Sequence, residues 1–504
     1  MKYFKPVWVW LPPYALTLFI LVFSKKRMID DAYIAFRYSA QLVNGHGLVL
    51  NPGEHVEGFS SFFWTILHCL PIWLDIPIEP FTYILGLAFG TLTFFLTKHL
   101  LEQLEIPEHH RFFTLLAFAL YLPFWYSITM GLEGGLYAFA LVGLVYLCLQ
   151  TPTNTNLFLL AVLSALLWLI RPEGLGIGIL VALYNLHRTR RLPFFALFAT
   201  IVLATVAVRY AYYGEVIPNT LIAKTNLLRE LDHPELAKSM FEEGFEYVYN
   251  FFKTPEISLA CSLGLFLFTS KSRLWLMGVI PLYLAVIAIL GAGDWMPKHR
   301  LLTPAIPIIM LMAATGLQYV PIRLRKWATV FWVVFVVFSL VHHYRRIETA
   351  QEFTKIHSIP CYDLMGKTLN NLKENDPLVA TTVLGVVGYH APDLRIHDMF
   401  GLADSVVAHT GEKRPRQGAL NMGYTYSLHP DVMIFDHQFE YYQQELSRYG
   451  YPDGYYVFEM SNCGHDAPPP VIAVREDRAP EITAALSELI DLVRIGYPKE
   501  TADT

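Results

Sequence analysis

DDAYIAFRYSAQLVNGHGLVLNPGEHVEG, residues 30–58, follows directly on an apolar stretch, Met1–Phe23, that is long enough to cross a bilayer. A spanning helix needs about 20 mostly apolar residues. The quoted stretch sets two adjacent carboxylates at the mouth of that segment, then a helical pattern carrying Arg37. A turn follows, punctuated by Gly45, Gly47, Gly53 and Gly58 and carrying Glu54 and Glu57. This reads as the first outer loop of a polytopic membrane protein. No small-residue cleavage site precedes Lys25–Arg27, so the first segment reads as a retained helix and not a removed signal peptide. The basic run there breaks the charge rule locally and suits a lipid phosphate.

The rest of the chain agrees with a membrane class. Of its 504 residues, 54% are apolar and only 16% are charged, against about 25% in a soluble domain. A net charge of −5 without a basic patch excludes nucleic acid as a partner. Apolar stretches recur at 8–23, 59–74, 80–97, 112–129, 135–150, 156–170, 174–186, 193–212, 256–270, 274–292, 301–317 and 327–343. Basic loops at His187–Arg191, Lys271–Arg273 and Ile322–Lys326, with a milder one at Lys98–Arg111, mark the cytoplasmic side. Parity then leaves 59–74 as an interfacial or re-entrant helix. The expected fold is a polytopic α-helical membrane domain over 1–344, with eleven crossings, and a soluble α/β domain over 345–504 on the outer face. Within 345–504, the segments 377–391, 430–436, 455–460 and 470–476 read as strands, and 361–374 and 479–493 as helices.

The outer loops carry nearly all the unusual polar groups. Asp30 and Asp31 suit a general base held near a hydroxyl, with Arg37 compensating their charge; they also suit a helix N-cap, and one can cap while the other reacts. Glu57 returns a carboxylate toward the membrane. Glu133 stands in MGLEGGL, and Arg171 and Glu173 in RPEG, each at a joint between apolar segments. RYAYYGEVIPNTLIAK supplies Tyr213, Asn219 and Lys224. GAGDWMPKHRLLTP packs Asp294, Lys298, His299 and Arg300 at a helix start, a cationic bunch that suits an anionic head group such as a phosphate. Glu57, Asp30 and Asp31 are oxygen donors for a divalent cation, but no recognised metal spacing is present.

Seven pieces in order, DDAYIAFRY, GHGLVLNPGEHVEGFSS, GLEGGLYA, RPEGL, YYGEVIPNTLIAK, GAGDWMPKHRLLTP and IHDMFGLAD, span residues 30 to about 404. In this the chain resembles the GT-C membrane glycosyltransferases that use polyprenyl-phosphate sugars, and among them the mycobacterial terminal β-(1→2)-arabinofuranosyltransferase family. The resemblance implies inverting transfer from a lipid-linked sugar donor to a cell-envelope glycan, glycolipid or protein acceptor, on the outer face of a bacterial plasma membrane. It implies Asp30, with Asp31 beside it, as the base. Lys298, His299 and Arg300, with Lys224 and Arg171 behind them, become the groups that hold the donor phosphate. Arg37, Glu57, Glu133, Glu173, Tyr213, Asn219, Asp294 and Asp398 become substrate-binding. The chain departs from the pattern where AGD stands in place of two glycines before the aspartate.

Two other readings stay open at this level: a flippase of lipid-linked glycan, and a non-catalytic glycan-binding assembly protein. The apolar interiors between 135 and 343 are almost free of ionisable residues, which disfavours a transport path. Cys361 and Cys463 lie in the outer domain, and an oxidising compartment predicts a disulfide between them.

Overall fold

The computed structural model describes residues 14–15, 28–224, 234–265, 275–294, 296, 299–320, 327, 330, 332–338, 359–375, 377–414, 418–436, 454–461, 471–487 and 491–496. Lys298 and Cys463 lie outside the described residues. The chain is mostly helical with a small mixed sheet in its C-terminal region. Along it run α1 (Asp30–Val43), α2 (Ile78–Gln103), α3 (Leu192–Tyr213), α4 (Pro234–Phe252), α5 (Trp275–Leu290), α6 (Ile359–Asn370) and α7 (Leu384–His390), with further helices between them. Two compact units form. The first comprises Met1–Met28, Glu79–Val208 and Leu227–Thr349; the second comprises Ile29–Ile78, Arg209–Asn226 and Ala350–Thr504.

In the first unit, α2 and α3 are long and apolar enough to cross a membrane, at 26 and 22 residues. Shorter apolar helices accompany them at Gly134–Leu149, Asn154–Ile170, Met277–Leu290 and Thr303–Gly316. The expected segment at 8–23 lies almost wholly outside the described residues, and those at 256–270 and 327–343 lie partly outside them. Helix α3 turns large apolar side chains outward, with Leu203 and Val208 67% and 69% exposed. Such a surface suits contact with hydrocarbon or with another apolar surface. Asn154–Ile170 packs closely on Gly174–Thr189 because Gly178 lies against the Ser164 backbone and Gly174 against that of Leu167. Small residues let the two backbones approach.

The second unit is built around α1, which is buried from Ala32 to Ser39 and packs on both Phe62–Trp73 and α7. Its sheet has the order β2-β1-β5-β7-β6-β8, from β1 (Val379–Thr381), β2 (Ile396–Asp398), β5 (Val432–Phe435), β6 (Tyr455–Ser461), β7 (Val471–Arg475) and β8 (Asp491–Gly496). A separate pair joins β3 (Glu412–Arg414) to β4 (Gly418–Leu420). Strands β2, β1 and β5 are parallel; β7, β6 and β8 continue the sheet antiparallel. The β1 and β5 strands are buried along their whole length, as parallel strands covered on both faces should be.

Two readings of the sequence are corrected here. Residues 377–391 form strand β1 and then helix α7, not one strand. Residues 491–493 open strand β8 instead of ending a helix, which stops at Ser487. The β-branched run of 377–391 suggests a strand throughout. The acceptors that satisfy the first N–H groups of α7, however, come from Asp30, far away in the chain. The exposed edge of β2 is also closed from the first loop. Asn51 Oδ1 accepts from Ile396 N–H at 3.0 Å, and its Nδ2 donates to Ile396 O at 2.8 Å, so one amide occupies the edge that another strand would pair with.

Candidate functional site

The second unit places Asp30 and Asp31 of the first loop at the C-terminal end of β1, where α7 begins. Asp30 and Asp31 occupy the first turn of α1, and the N-cap position belongs to Ile29, with no side-chain cap. The N-cap reading of the pair therefore does not hold for α1 itself. Asp30 instead accepts from the start of α7: Val386 N–H donates to Oδ1 at 2.7 Å and Gly385 N–H to Oδ2 at 3.1 Å. Gly385 has no alternative, because a Cβ there would strike the Asp30 carbonyl. Burial pushes the Asp30 carboxyl up to about 7; the Val386 and Gly385 N–H groups oppose this, and the charges of Asp31 and Asp436 add to it. Asp436 follows β5, is buried, and receives the Tyr362 hydroxyl at 3.3 Å. Asp31 Oδ2 lies 3.9 Å from Lys224 Nζ. Three carboxylates and one ammonium thus sit where α/β folds place ligand chemistry, outside the carboxyl ends of parallel strands.

Other predicted residues of this unit bind the protein to itself. The Arg37 guanidinium is 1% exposed. It donates to Leu50 O at 2.8 Å, Ala391 O at 2.9 Å, Leu394 O at 2.8 Å and Asn51 Oδ1 at 3.2 Å, and also to Gly388 O. Burial lowers it to about 10, still charged at neutral pH. Glu57 is joined to Arg209 by two bonds, Nε to Oε2 at 2.6 Å and Nη2 to Oε1 at 3.1 Å. Burial raises the Glu57 carboxyl while Arg209 opposes the rise. Tyr213 OH donates to Leu48 O at 2.9 Å, while Tyr212 OH accepts from Leu48 N–H at 3.0 Å, so the two rings grip one residue of the glycine-rich turn. Gly47, with φ of 93°, leaves the space that the Tyr212 hydroxyl fills. Asn219 Nδ2 donates to Gly401 O at 2.8 Å and Leu402 O at 3.0 Å. Asp398 accepts from Phe400 N–H at 2.9 Å and Ala403 N–H at 2.6 Å, and burial pushes it up to about 6. Asp404 caps the helix Ser405–Thr410 through Val407 N–H at 2.9 Å.

The first unit holds the polar joints at Glu133, Arg171–Glu173 and Asp294–Arg300. Arg171 Nη1 reaches Glu133 Oε1 at 2.5 Å, its Nε holds Glu173, and its guanidinium lies 5.8 Å from the centroid of the Tyr137 ring. Two carboxylates on one guanidinium leave this buried cluster with a net negative charge. Asp294 accepts from Arg300 Nε at 2.6 Å. His299 is held edge-on by Tyr247 and Phe251, and Tyr247 OH accepts from Leu301 N–H at 3.2 Å. Ala292 adopts φ of 59° and His299 φ of 55°, the left-handed region. Ala292 stands where the resemblance expects a glycine.

Three residues that shape the site were missed from the sequence: Asn51, Asp436 and Arg209 in its role as partner of Glu57. Asp436 carried a usable signal, since an aspartate directly after a buried apolar strand marks the strand end where ligands bind. Among the described residues, no three His, Cys, Asp or Glu side chains converge as a metal-binding group.

A protein family described as a domain of unknown function (DUF8728) matches residues 345–474. The chain is also similar to a terminal beta-(1->2)-arabinofuranosyltransferase of Mycobacterium tuberculosis, with 29% identity over 275 residues. That alignment covers 50% of this chain, and the chain spans about 42% of the length of that relative.

Proposed function

We propose that the chain is a membrane glycosyltransferase that moves a sugar, arabinofuranose by the likeness, from a polyprenyl-phosphate donor to a cell-envelope acceptor. The similarity to an arabinofuranosyltransferase supports glycosyl transfer in general. The observation that carries the chemistry is the placement of Asp30 at the end of β1, held by the Val386 and Gly385 N–H groups beside Asp31, where burial raises its proton affinity to about 7. A base with proton affinity near the working pH is the most effective proton acceptor.

In this reading the acceptor hydroxyl oxygen attacks the anomeric carbon as the bond from that carbon to the lipid phosphate oxygen breaks. The hydroxyl proton passes to the Asp30–Asp31 pair, and the freed phosphate leaves with the bonding electrons. Single displacement inverts the anomeric centre. Lys224, beside Asp31, is a cation for the developing phosphate charge. The assignment of Lys298, His299 and Arg300 to phosphate belongs to the same proposal and has its own substitutions to test it. The reading includes eleven crossings, a plasma-membrane location and an extracytoplasmic C-terminal domain.

Mass spectrometry of a deletion strain tests it. Accumulated lipid-linked sugar together with a truncated envelope glycan is the expected pair of changes. Unchanged glycan, or donor trapped on the cytoplasmic leaflet, favours an assembly role or a flippase instead.

A further inference from the structure

Helix α4 carries two apolar faces, and among the described residues one is buried and the other exposed. At about 100° per residue, Met240, Gly244, Tyr247, Val248 and Phe251 fall on one arc and are buried. Gly244 lies against the Ile289 backbone near the end of α5. The adjoining arc carries Phe241, Phe245 and Tyr249, a ridge at four-residue spacing, each more than half exposed at 53%, 55% and 56%. The Phe245 and Tyr249 rings stack with centroids 6.5 Å apart. Glu242, Glu246 and Asn250 lie on the remaining, polar arc. The apolar arc therefore covers roughly 200°, half against protein and half bare, with a polar strip opposite.

We propose that α4 lies in the membrane interface, with the Phe241–Phe245–Tyr249 ridge sunk among the acyl chains and head groups of the outer leaflet. A helix of this type buries its aromatic side at the boundary of head groups and chains while its charged side stays in water. Its neighbour agrees. Helix α5 exposes Leu282, Val286 and Leu290 at the same four-residue spacing, an apolar ridge that ends one residue beyond the Ile289 on which Gly244 rests. Lys253 Nζ stands 5.4 Å from the Tyr249 ring centroid, as an ammonium does when its stem follows an apolar surface toward the water.

The inner face of the same helix holds the Asp294–Arg300 loop. Tyr247 and Phe251 clamp His299, Tyr247 OH takes the Leu301 N–H, and Gly293 packs against Tyr247 so closely that a Cβ would come within 2.7 Å of its ring. Lipid contact on the outside thus sets the depth of that loop at the level of lipid head groups. The lipid contact does not depend on the chemistry proposed above.

The test places p-benzoylphenylalanine in turn at Phe245, Glu246 and Leu203 of the full chain, reconstituted in phosphatidylcholine vesicles. After illumination, phospholipid adducts are counted by mass spectrometry. Leu203, on the outward face of α3, reports on the bilayer itself. Adducts at 245 several-fold above those at 246, and comparable with 203, are expected. Adducts at 203 with none above background at 245, or a 245 adduct to a second protein chain, overturn the proposal. No adduct at either 203 or 245 overturns it together with the membrane reading.

Discussion

Asp30 and Arg37, two turns apart on α1, bracket helix α7 from end to end: the carboxylate takes the first N–H groups and the guanidinium takes the Gly388, Ala391 and Leu394 carbonyls. Each charge faces the helix end whose dipole it complements. One helix from the first loop therefore fixes the helix that links β1 to β2, and it holds Asp30 at the strand ends. A single residue pair serves both the fold of the unit and the placement of its proposed base.

Arg37→Met removes all of these donors and leaves the Leu50, Gly388 and Leu394 carbonyls without that partner, while Ala391 O keeps the Leu394 N–H at 3.2 Å. Each orphaned group costs about 1–3 kcal/mol, so a loss of at least about 3 kcal/mol is expected. Scanning fluorimetry of the purified variant reads it as a large fall in apparent Tm. An unchanged Tm contradicts the bracket.

The pH dependence has a defined sign. The Asp30 carboxyl is raised from 3.8 to about 7 in the fold. Its stabilising contribution is complete below pH 3.8 and is lost as pH rises through about 7. The proposed mechanism needs the ionised form, so under that proposal transfer should rise through the same window. The kcat/KM profile should show an acid limb near 7, and Asp31→Asn, by removing a like charge, should move that limb to lower pH.

Glu57 and Arg209 form a buried pair, so breaking one side is worse than replacing both. Glu57→Gln strands a guanidinium and is expected to cost about 3–5 kcal/mol. The double variant Glu57→Gln, Arg209→Met should recover part of that loss. A thermal double-mutant cycle with no coupling removes the pair from the account.

The AGD turn gives a pair of opposite outcomes. Ala292 holds φ of 59°, which costs a residue with a Cβ about 1 kcal/mol or more. Ala292→Gly should therefore leave the apparent Tm unchanged or raise it. Gly293→Ala meets both φ of 78° and the Tyr247 ring, and should lower it.

Cys361 is disulfide-bonded, whereas Cys69, Cys148 and Cys261 are free. Peptide mapping after alkylation without reductant should recover Cys361 linked to Cys463, its expected partner. Alkylated Cys361 under those conditions contradicts the bond.

Much of each polar cluster was legible because short polar loops between apolar stretches concentrate such residues: Asp30 and Asp31 in the second unit, and Glu133, Arg171 and Asp294 in the first, stand out against apolar flanks. What they touch was not legible. Arg37 looks like a charge partner for the nearby aspartates, yet it donates to the Gly388, Ala391 and Leu394 carbonyls, some 350 positions away in sequence. Local periodicity cannot see such acceptors. For the same reason the sequence suggests a strand where α7 forms, since its β-branched residues favour a strand and the helical start is satisfied by the distant Asp30. Strands β5, β6 and β7 were legible because short apolar runs bounded by turn residues have few other solutions.

The most direct measurement is transfer by the purified chain in lipid nanodiscs, given a polyprenyl-phosphate arabinofuranose donor and an arabinofuranoside acceptor. Wild type and Asp30→Asn are compared, and the anomer of the product is read by NMR. The account predicts an inverted product from wild type, and a loss of at least about 100-fold in kcat for Asp30→Asn with donor binding kept. Wild-type rates from Asp30→Asn, or a product with retained configuration, contradict it.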